Sequence, residues 1–277
     1  MAQAVGSSPP LTSPFRRHVN LTRELAITQF KLKYTGSVLG YFWSLLRPLF
    51  YFGVMYTVFV GILHVGASSP NFPMQLLLGI VVWTWFQEST NAALVSVASN
   101  GHMLRKAYFP RVVPVIASTL TALMTFTINL VILLLIAVAL RQVDLTPQSI
   151  AAVLLIAELY ALIIGVSLLL SSLYVFYRDL GHIWEVGSQI IFYGSAVIFP
   201  FAILHGATSR TLVAMNPVAQ SIEDMRHLLI SGAPEVPFAE SILGSGLFWA
   251  PYLIVAALVV VGLLVFRRLT PRFAEAL

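Results

Sequence analysis

Apolar residues along the chain gather into six blocks, separated by short polar or charged segments. The blocks cover about residues 37–63, 72–98, 112–140, 148–176, 183–203 and 247–266. A helix needs roughly 20 consecutive apolar residues to cross the hydrocarbon core of a bilayer, so each block predicts one membrane-spanning helix. The first four exceed that minimum, which permits tilt or extension without fixing an angle. No internal repeat and no separate soluble domain is visible, and the expected class is an all-α integral membrane protein.

Two of the remaining segments carry helical signals of their own. Before the first block, "HVNLTRELAITQFKLKYTG" places Leu21, Leu25, Thr28 and Leu32 on one helical face and Arg23, Glu24 and Lys31 elsewhere. That arrangement predicts an amphipathic helix at the membrane interface, although Ile27 and Phe30 blur the separation. Between the fifth and sixth blocks, "NPVAQSIEDMRHLLISG" predicts a short helix, with Asn216 as N-cap, Pro217 in the first turn and Gly232 beyond the end. Val218, Ile222, Met225 and Leu229 give it an apolar face. The fifth block ends in "YGSAVIFPFAILHG", where Gly194 and Pro200 weaken a helix. Irregular backbone survives at membrane depth only when it is buried in protein or lines a cavity. This predicts a re-entrant, gate-like hairpin, with gate residues Pro200, Asn216, Pro217 and Met225.

Composition agrees with the pattern. Of 277 residues, 58% are hydrophobic and 10% are charged, against about 25% charged in an average soluble domain. The chain has no cysteine, which removes disulfides, thiolate metal sites and cysteine nucleophiles. No cleavable signal peptide is apparent, because the Ser/Pro-rich first residues lack an apolar core before Arg16 and Arg17. The net charge of +5 is explained by topology. With the N-terminus inside, the inner segments hold Arg16, Arg17, Arg23, Lys31, Lys33, Arg105, Lys106, Arg111, Arg178, Arg267, Arg268 and Arg272, and the outer ones only Arg141, Arg210 and Arg226. This bias fits the positive-inside rule, and it removes the case for nucleic-acid binding. An even number of spans returns the C-terminus to the inside.

Catalytic chemistry is not visible. No G-x-x-x-x-G-K-[ST] phosphate loop occurs, the six histidines make no H-x-x-x-H pair, and no carboxylates cluster within a span. No catalytic residue and no metal site is expected. The charges inside the blocks are Arg47, Glu88, Glu158 and Glu185. Arg47 and Glu185 lie near inner ends and can reach the interface. Glu88 and Glu158 admit two readings, a carrier or pathway role and a simple interhelical hydrogen bond. The aromatic residues Trp83, Trp85, Phe86, Phe192, Tyr193 and Phe199 also admit two. They anchor spans at the interface, or they line a pathway where rings stack on sugar faces.

The second and third blocks are joined by "NGHMLRKAYFPR", Asn100 to Arg111, which the topology places inside. Arg105, Lys106 and Arg111 suffice as a topology signal. The additional apolar residues Met103, Leu104, Tyr108 and Phe109 suit a protein partner docking from the cytosol.

At this point the sequence resembles the membrane subunits of ABC-2-type exporters, in the branch that exports polysaccharides and polyol phosphates. The likeness covers nearly the whole chain. It rests on "FKLKYTGSVLGYFWSLLRPL", "LLLGIVVWTWFQEST", "NGHMLRKAYFPRVVPVIAS", "VFYRDLGHIWEVGSQIIFYGSAVIFPF" and "MNPVAQSIEDMRHLLISG", in that order. The resemblance implies a cytoplasmic tail and N-terminal interface helix over residues 1–36 and a six-span domain over 37–277. It implies coupling loops at 99–111 and 177–185 and outer gate helices within 204–246. His102, Met103, Leu104, Arg105, Lys106, Tyr108 and Phe109 would form the main coupling element, with Arg178 and Asp179 in the second contact. The substrate pathway would hold Trp83, Trp85, Phe86, Glu88, Phe192, Tyr193 and Phe199. The implied assembly is a homodimer with two copies of a separate ATPase, which binds the ATP and Mg; this chain holds no cofactor. The implied cargo is a lipid-linked glycan of the O-antigen, capsule, teichoic acid or galactan type. The implied location is the bacterial cytoplasmic (inner) membrane, among its lipids, with both termini cytoplasmic. Export of a small amphiphile such as a drug or lipid is the alternative, and a membrane-embedded glycan-modifying enzyme or a non-transporting scaffold fits less of the sequence.

Overall fold

The computed structural model describes residues 14–36, 40, 42–64, 71–101, 109–143, 146–199, 204, 206–230 and 239–273. These residues form ten α-helices and no strand. In chain order they are α1 (Pro14–Tyr34), α2 (Phe42–Met55), α3 (Phe72–Ser99), α4 (Val113–Ala139), α5 (Ala151–Tyr174), α6 (Leu180–Tyr193), α7 (Ala207–Ala214), α8 (Pro217–Leu229), α9 (Ala239–Leu247) and α10 (Ala250–Leu269). A π-helical stretch, Tyr56–Ile62, continues α2.

Among the described residues, four segments are long and apolar enough to cross a membrane: Phe42–Ile62, Val113–Ala139, Pro147–Tyr174 and Ala250–Arg272. The second expected span is also one helix, α3 of 28 residues, but Gln75, Gln87, Glu88 and Asn91 lower its apolar content. Its position explains the polarity. α3 lies between α4 and α5 and is the most buried of the long helices; Gln75 is buried in protein, while Gln87, Glu88 and Asn91 face a cavity. The expected fifth span departs further from a continuous block. Its helix is α6, only 14 residues long, and it stops at Tyr193. Gly194 caps it, and Ala196 then takes a left-handed φ of 50°, which no helix tolerates.

Three local solutions hold the bundle together. Pro48 lies inside α2 and has no N–H to give the Ser44 carbonyl four residues earlier. Asn129 of α4 supplies the missing donor, its Nδ2 bonding that carbonyl at 3.2 Å. α5 and α10 touch through two glycines. A Cβ on Gly165 would come within 2.8 Å of the Leu258 carbonyl carbon, and one on Gly262 would collide with the Gly165 carbonyl. Small residues allow this close backbone approach, the usual way helices gain contact where lipid is as apolar as the side chains.

The third concerns α1, which lies along α4. The Thr121 hydroxyl, with a single hydrogen to share, lies 3.1 Å from the Ala26 carbonyl, 3.4 Å from Gln29 Oε1 and 2.9 Å from the Ala117 carbonyl of its own helix. Ala26 is fully buried, whereas Leu32 is 64% exposed. The bundle therefore receives Ala26 and Gln29 through the threonine on α4, and Leu32 of the expected apolar face is left outside it.

Candidate functional site

A cavity of about 1160 Å³ opens among α1, α2, α3, α4 and α6. Each wall is one helical stripe. From α3 come Trp83, Thr84, Gln87, Glu88, Asn91 and Ala92, spaced at one, three and four residues. That spacing keeps side chains on one face of a 3.6-residue helix. α6 contributes Gln189, Phe192 and Tyr193, α2 contributes Arg47, Phe50, Tyr51 and Val54, and α1 contributes Gln29 and Lys33. The lining thus alternates rings with amide groups and places two cations and one carboxylate among them. Lys33 forms an ion pair with Glu88 and donates to the Thr125 hydroxyl at 3.4 Å. Thr125 belongs to α4, so the pair joins three helices across the cavity wall.

The rings form a connected layer. Trp83 lies 5.3 Å from Phe192 and 5.4 Å from Phe86, and Phe192 lies 5.3 Å from Tyr193 and 6.0 Å from Tyr51, centroid to centroid. Of the expected pathway residues, the structure brings Trp83, Glu88, Phe192 and Tyr193 together on the cavity. Trp85 is on the opposite face of α3. It is buried and stacked 4.2 Å from Phe126, with Tyr160 beyond. The reason is the helix period, since two residues along α3 are turned by about 200°. Phe86 points behind the layer toward Trp184, at 6.2 Å, and lines a separate apolar groove. Phe199 packs against the main core and does not line the cavity.

Of the expected coupling residues, His102, Met103, Leu104, Arg105, Lys106 and Tyr108 lie outside the described residues, as does Pro200 of the expected gate. Phe109 packs on a small core that contains Val175, Phe266 and Phe273, and Arg111 donates to the Thr270 carbonyl. Arg178 lies over the Tyr174 ring at 5.2 Å, and both it and Asp179 are exposed immediately before α6. The two expected contact elements therefore meet the same end of the bundle, through Phe109 and Val175.

The opposite end is closed by α8. Asn216 caps it as its sequence predicts, accepting from the Val218 N–H at 3.0 Å. Its Nδ2 also donates to the Gly194 carbonyl at 3.3 Å and the Ser195 hydroxyl at 2.9 Å. Pro217 occupies the first turn, and Val218, Ile222, Met225 and Leu229 join the main core. Met225 is fully buried.

Arg226 was expected among outer, water-facing charges; instead its side chain is fully buried. Nε donates to the Gln75 carbonyl at 3.0 Å, Nη1 to the Ala196 carbonyl at 3.0 Å and to Glu223 Oε1 at 2.6 Å, and Nη2 to the Val197 carbonyl at 2.8 Å. Only a forked guanidinium reaches four acceptors on three segments. Burial raises the Glu223 carboxyl above its usual range, and the Arg226 charge partly offsets this. Burial also raises Asp224, opposed by the Ala239 N–H and Gln220. Glu158 of α5 lies beside Gln220 and Asp224, which favours an interhelical contact over a pathway role. The sequence signal that points to Arg226 is its place on the apolar side of the Asn216 helix, three residues after Glu223. Among the described residues no group of three or more His, Asp or Glu is placed to hold a metal.

The structure is thus a helical bundle with helices long and apolar enough to cross a membrane and a cavity lined by rings and amides. Residues 20–230 match the ABC-2 type transporter family, and the chain belongs to it. It is 29% identical over 250 residues to an O-antigen export system permease protein RfbA of Klebsiella pneumoniae, covering 89% of this chain and 91% of that one. It is 26% identical over 191 residues to the Myxococcus xanthus protein of the same name, covering 69% of this chain and 72% of that one.

Proposed function

We propose that the chain is the membrane subunit of an ATP-driven exporter that moves a lipid-linked polysaccharide across the bacterial cytoplasmic membrane. The carrying observation is the cavity. Its volume exceeds the about 300–1,000 Å³ of a drug-sized ligand site, and its wall pairs rings such as Trp83, Tyr51 and Tyr193 with the amides of Gln87, Asn91 and Gln189. Rings cover the apolar faces of sugars while amides bond their hydroxyls. The names of the Klebsiella and Myxococcus relatives support the same cargo class.

In this reading the chain crosses the membrane six times with both termini cytoplasmic, α3 and α6 included. Two copies form a two-fold dimer with the pathway at their interface, and the helices after α6 form the outer gate. Two copies of a separate ATPase dock on the end that holds Phe109, Arg178 and Asp179. ATP and Mg bound by those subunits drive their approach, and the contact elements pass the motion into the bundle. The lipid carrier stays near the membrane while the sugar chain threads through the cavity.

An apolar groove of about 500 Å³ between α5, α6 and α10, lined by residues such as Leu162, Val166 and Ile254, favours a second reading, export of a small amphiphile. The two readings separate in proteoliposomes holding this chain with its ATPase. The lipid-linked glycan should stimulate ATP hydrolysis and a plain single-chain lipid should not. Stimulation by the lipid alone favours the second reading.

A further inference from the structure

We propose that Arg226 is a positioning residue, the joint that fastens the far end of α6 to α8 so that both move as one body. Apart from the ring contacts of Phe192 and Trp184 with α2 and α3, α6 is largely exposed. Of its 14 residues only Ser188 and Phe192 are buried, and Ile183, Val186, Ile190 and Tyr193 are all at least 60% exposed. It starts directly after the exposed Arg178 and Asp179, and at 14 residues it is about 20 Å long. A rod of this kind transmits motion only if its far end is gripped.

The grip is on the page. Where α6 stops, the Gly194 N–H, the Ser195 N–H and the Ser195 hydroxyl take up the Ile190, Phe192 and Ile191 carbonyls. The irregular turn that follows presents carbonyls with no helical partner, which water does not replace at membrane depth. The Ala196 and Val197 carbonyls are bonded by Arg226, and the Gly194 carbonyl by Asn216 at the other end of α8. The turn they hold includes Ala196 at φ 50°, a conformation that persists only where its surroundings impose it. Arg226 also bonds the Gln75 carbonyl near the start of α3, so the joint is referenced to the central helix. Gly79 leaves the room: a Cβ there would stand 2.6 Å from Arg226 Nη2. Glu223 supplies the counter-charge. Nothing in this arrangement requires the cargo, and only its use in export rests on the transporter reading.

The chain has no cysteine, so single labels go where they are introduced. Nitroxides at Ile190→Cys on α6 and Leu212→Cys on α7, which packs on α8, report the separation of the two bodies by pulsed electron spin resonance. The complex with its ATPase is measured in nanodiscs, with and without nucleotide. With Arg226 intact, the peak for the distance within one chain, isolated by diluting labelled with unlabelled chains, should stay narrow in both states. Arg226→Lys keeps the charge but loses the fork, and should widen the distribution at least twofold. Gly79→Ala displaces the guanidinium without altering any charge and should do the same. In both variants ATP hydrolysis per folded complex should persist while export falls at least tenfold. An unchanged distribution in both variants overturns the joint, as does a fall of hydrolysis and export in equal proportion. A wild-type complex that exports nothing removes the exporter reading and leaves the spin-label result to decide the joint.

Discussion

Lys33, near the end of α1, pairs with Glu88, eleven residues before the end of α3, and so binds the first helix to the long central one. The pair borders the cavity, with side-chain exposures of 35% and 26%. Partly exposed pairs are worth little, so Lys33→Ala or Glu88→Gln should cost less than about 1 kcal/mol of stability. Export should suffer more than stability does, because each change leaves an unmatched charge on the cavity wall. The swapped variant, Lys33→Glu with Glu88→Lys, should regain most of the lost export. Failure of the swap, with both proteins folded, would show that the residues act separately.

Asn129 and Pro48 form a compensating pair. Asn129→Ala leaves the Ser44 carbonyl without its side-chain donor and should destabilise the chain by about 1–3 kcal/mol. Adding Pro48→Ala restores a backbone N–H and should recover much of that loss. Thermal unfolding of the single and double variants reads this directly. Equal melting of the two would contradict the account.

Trp85 and Tyr193 should part in their effects. Trp85 is stacked on Phe126 away from the cavity, so Trp85→Ala should cost about 3–5 kcal/mol and reduce the folded amount. Tyr193 is 64% exposed on the cavity wall, so Tyr193→Ala should change stability by about 0.5 kcal/mol or less. Export per folded molecule should fall in the second and hold in the first. The reverse pattern would move the pathway to the other face of α3.

Gly165 and Gly262 allow no side chain without a shift of the backbone. Gly262→Ala should destabilise the α5–α10 contact by about 1–3 kcal/mol. Size-exclusion recovery after graded heating would measure it, and a wild-type curve would mean that the helices separate at small cost.

The helices themselves were legible in the sequence. Blocks of apolar residues gave the long elements, Asn216 and Pro217 gave the start of α8, and Gly194 gave the end of α6. The face of α3 was legible in principle as well. Trp83, Gln87 and Asn91 repeat every four residues, and Trp85 falls out of that stripe, but grouping the rings by nearness along the chain hid it. Arg226 was legible only in part. Its place beside the apolar face of the Asn216 helix, three residues after Glu223, is visible, but its three carbonyl acceptors sit on Gln75, Ala196 and Val197, remote in sequence. The partner of Ser44 was hidden for the same reason. Backbone carbonyls carry no sequence signature, so contacts to them appear only in three dimensions.

The most direct test of the exporter reading is made in cells depleted of this protein. Lipid-linked glycan is measured by mass spectrometry, and its side of the membrane is probed with an impermeant sugar-labelling reagent. The account predicts that polymer accumulates on the cytoplasmic side, shielded from the reagent, and that labelling returns when the protein is restored. Unchanged amount and unchanged sidedness of the polymer would contradict it.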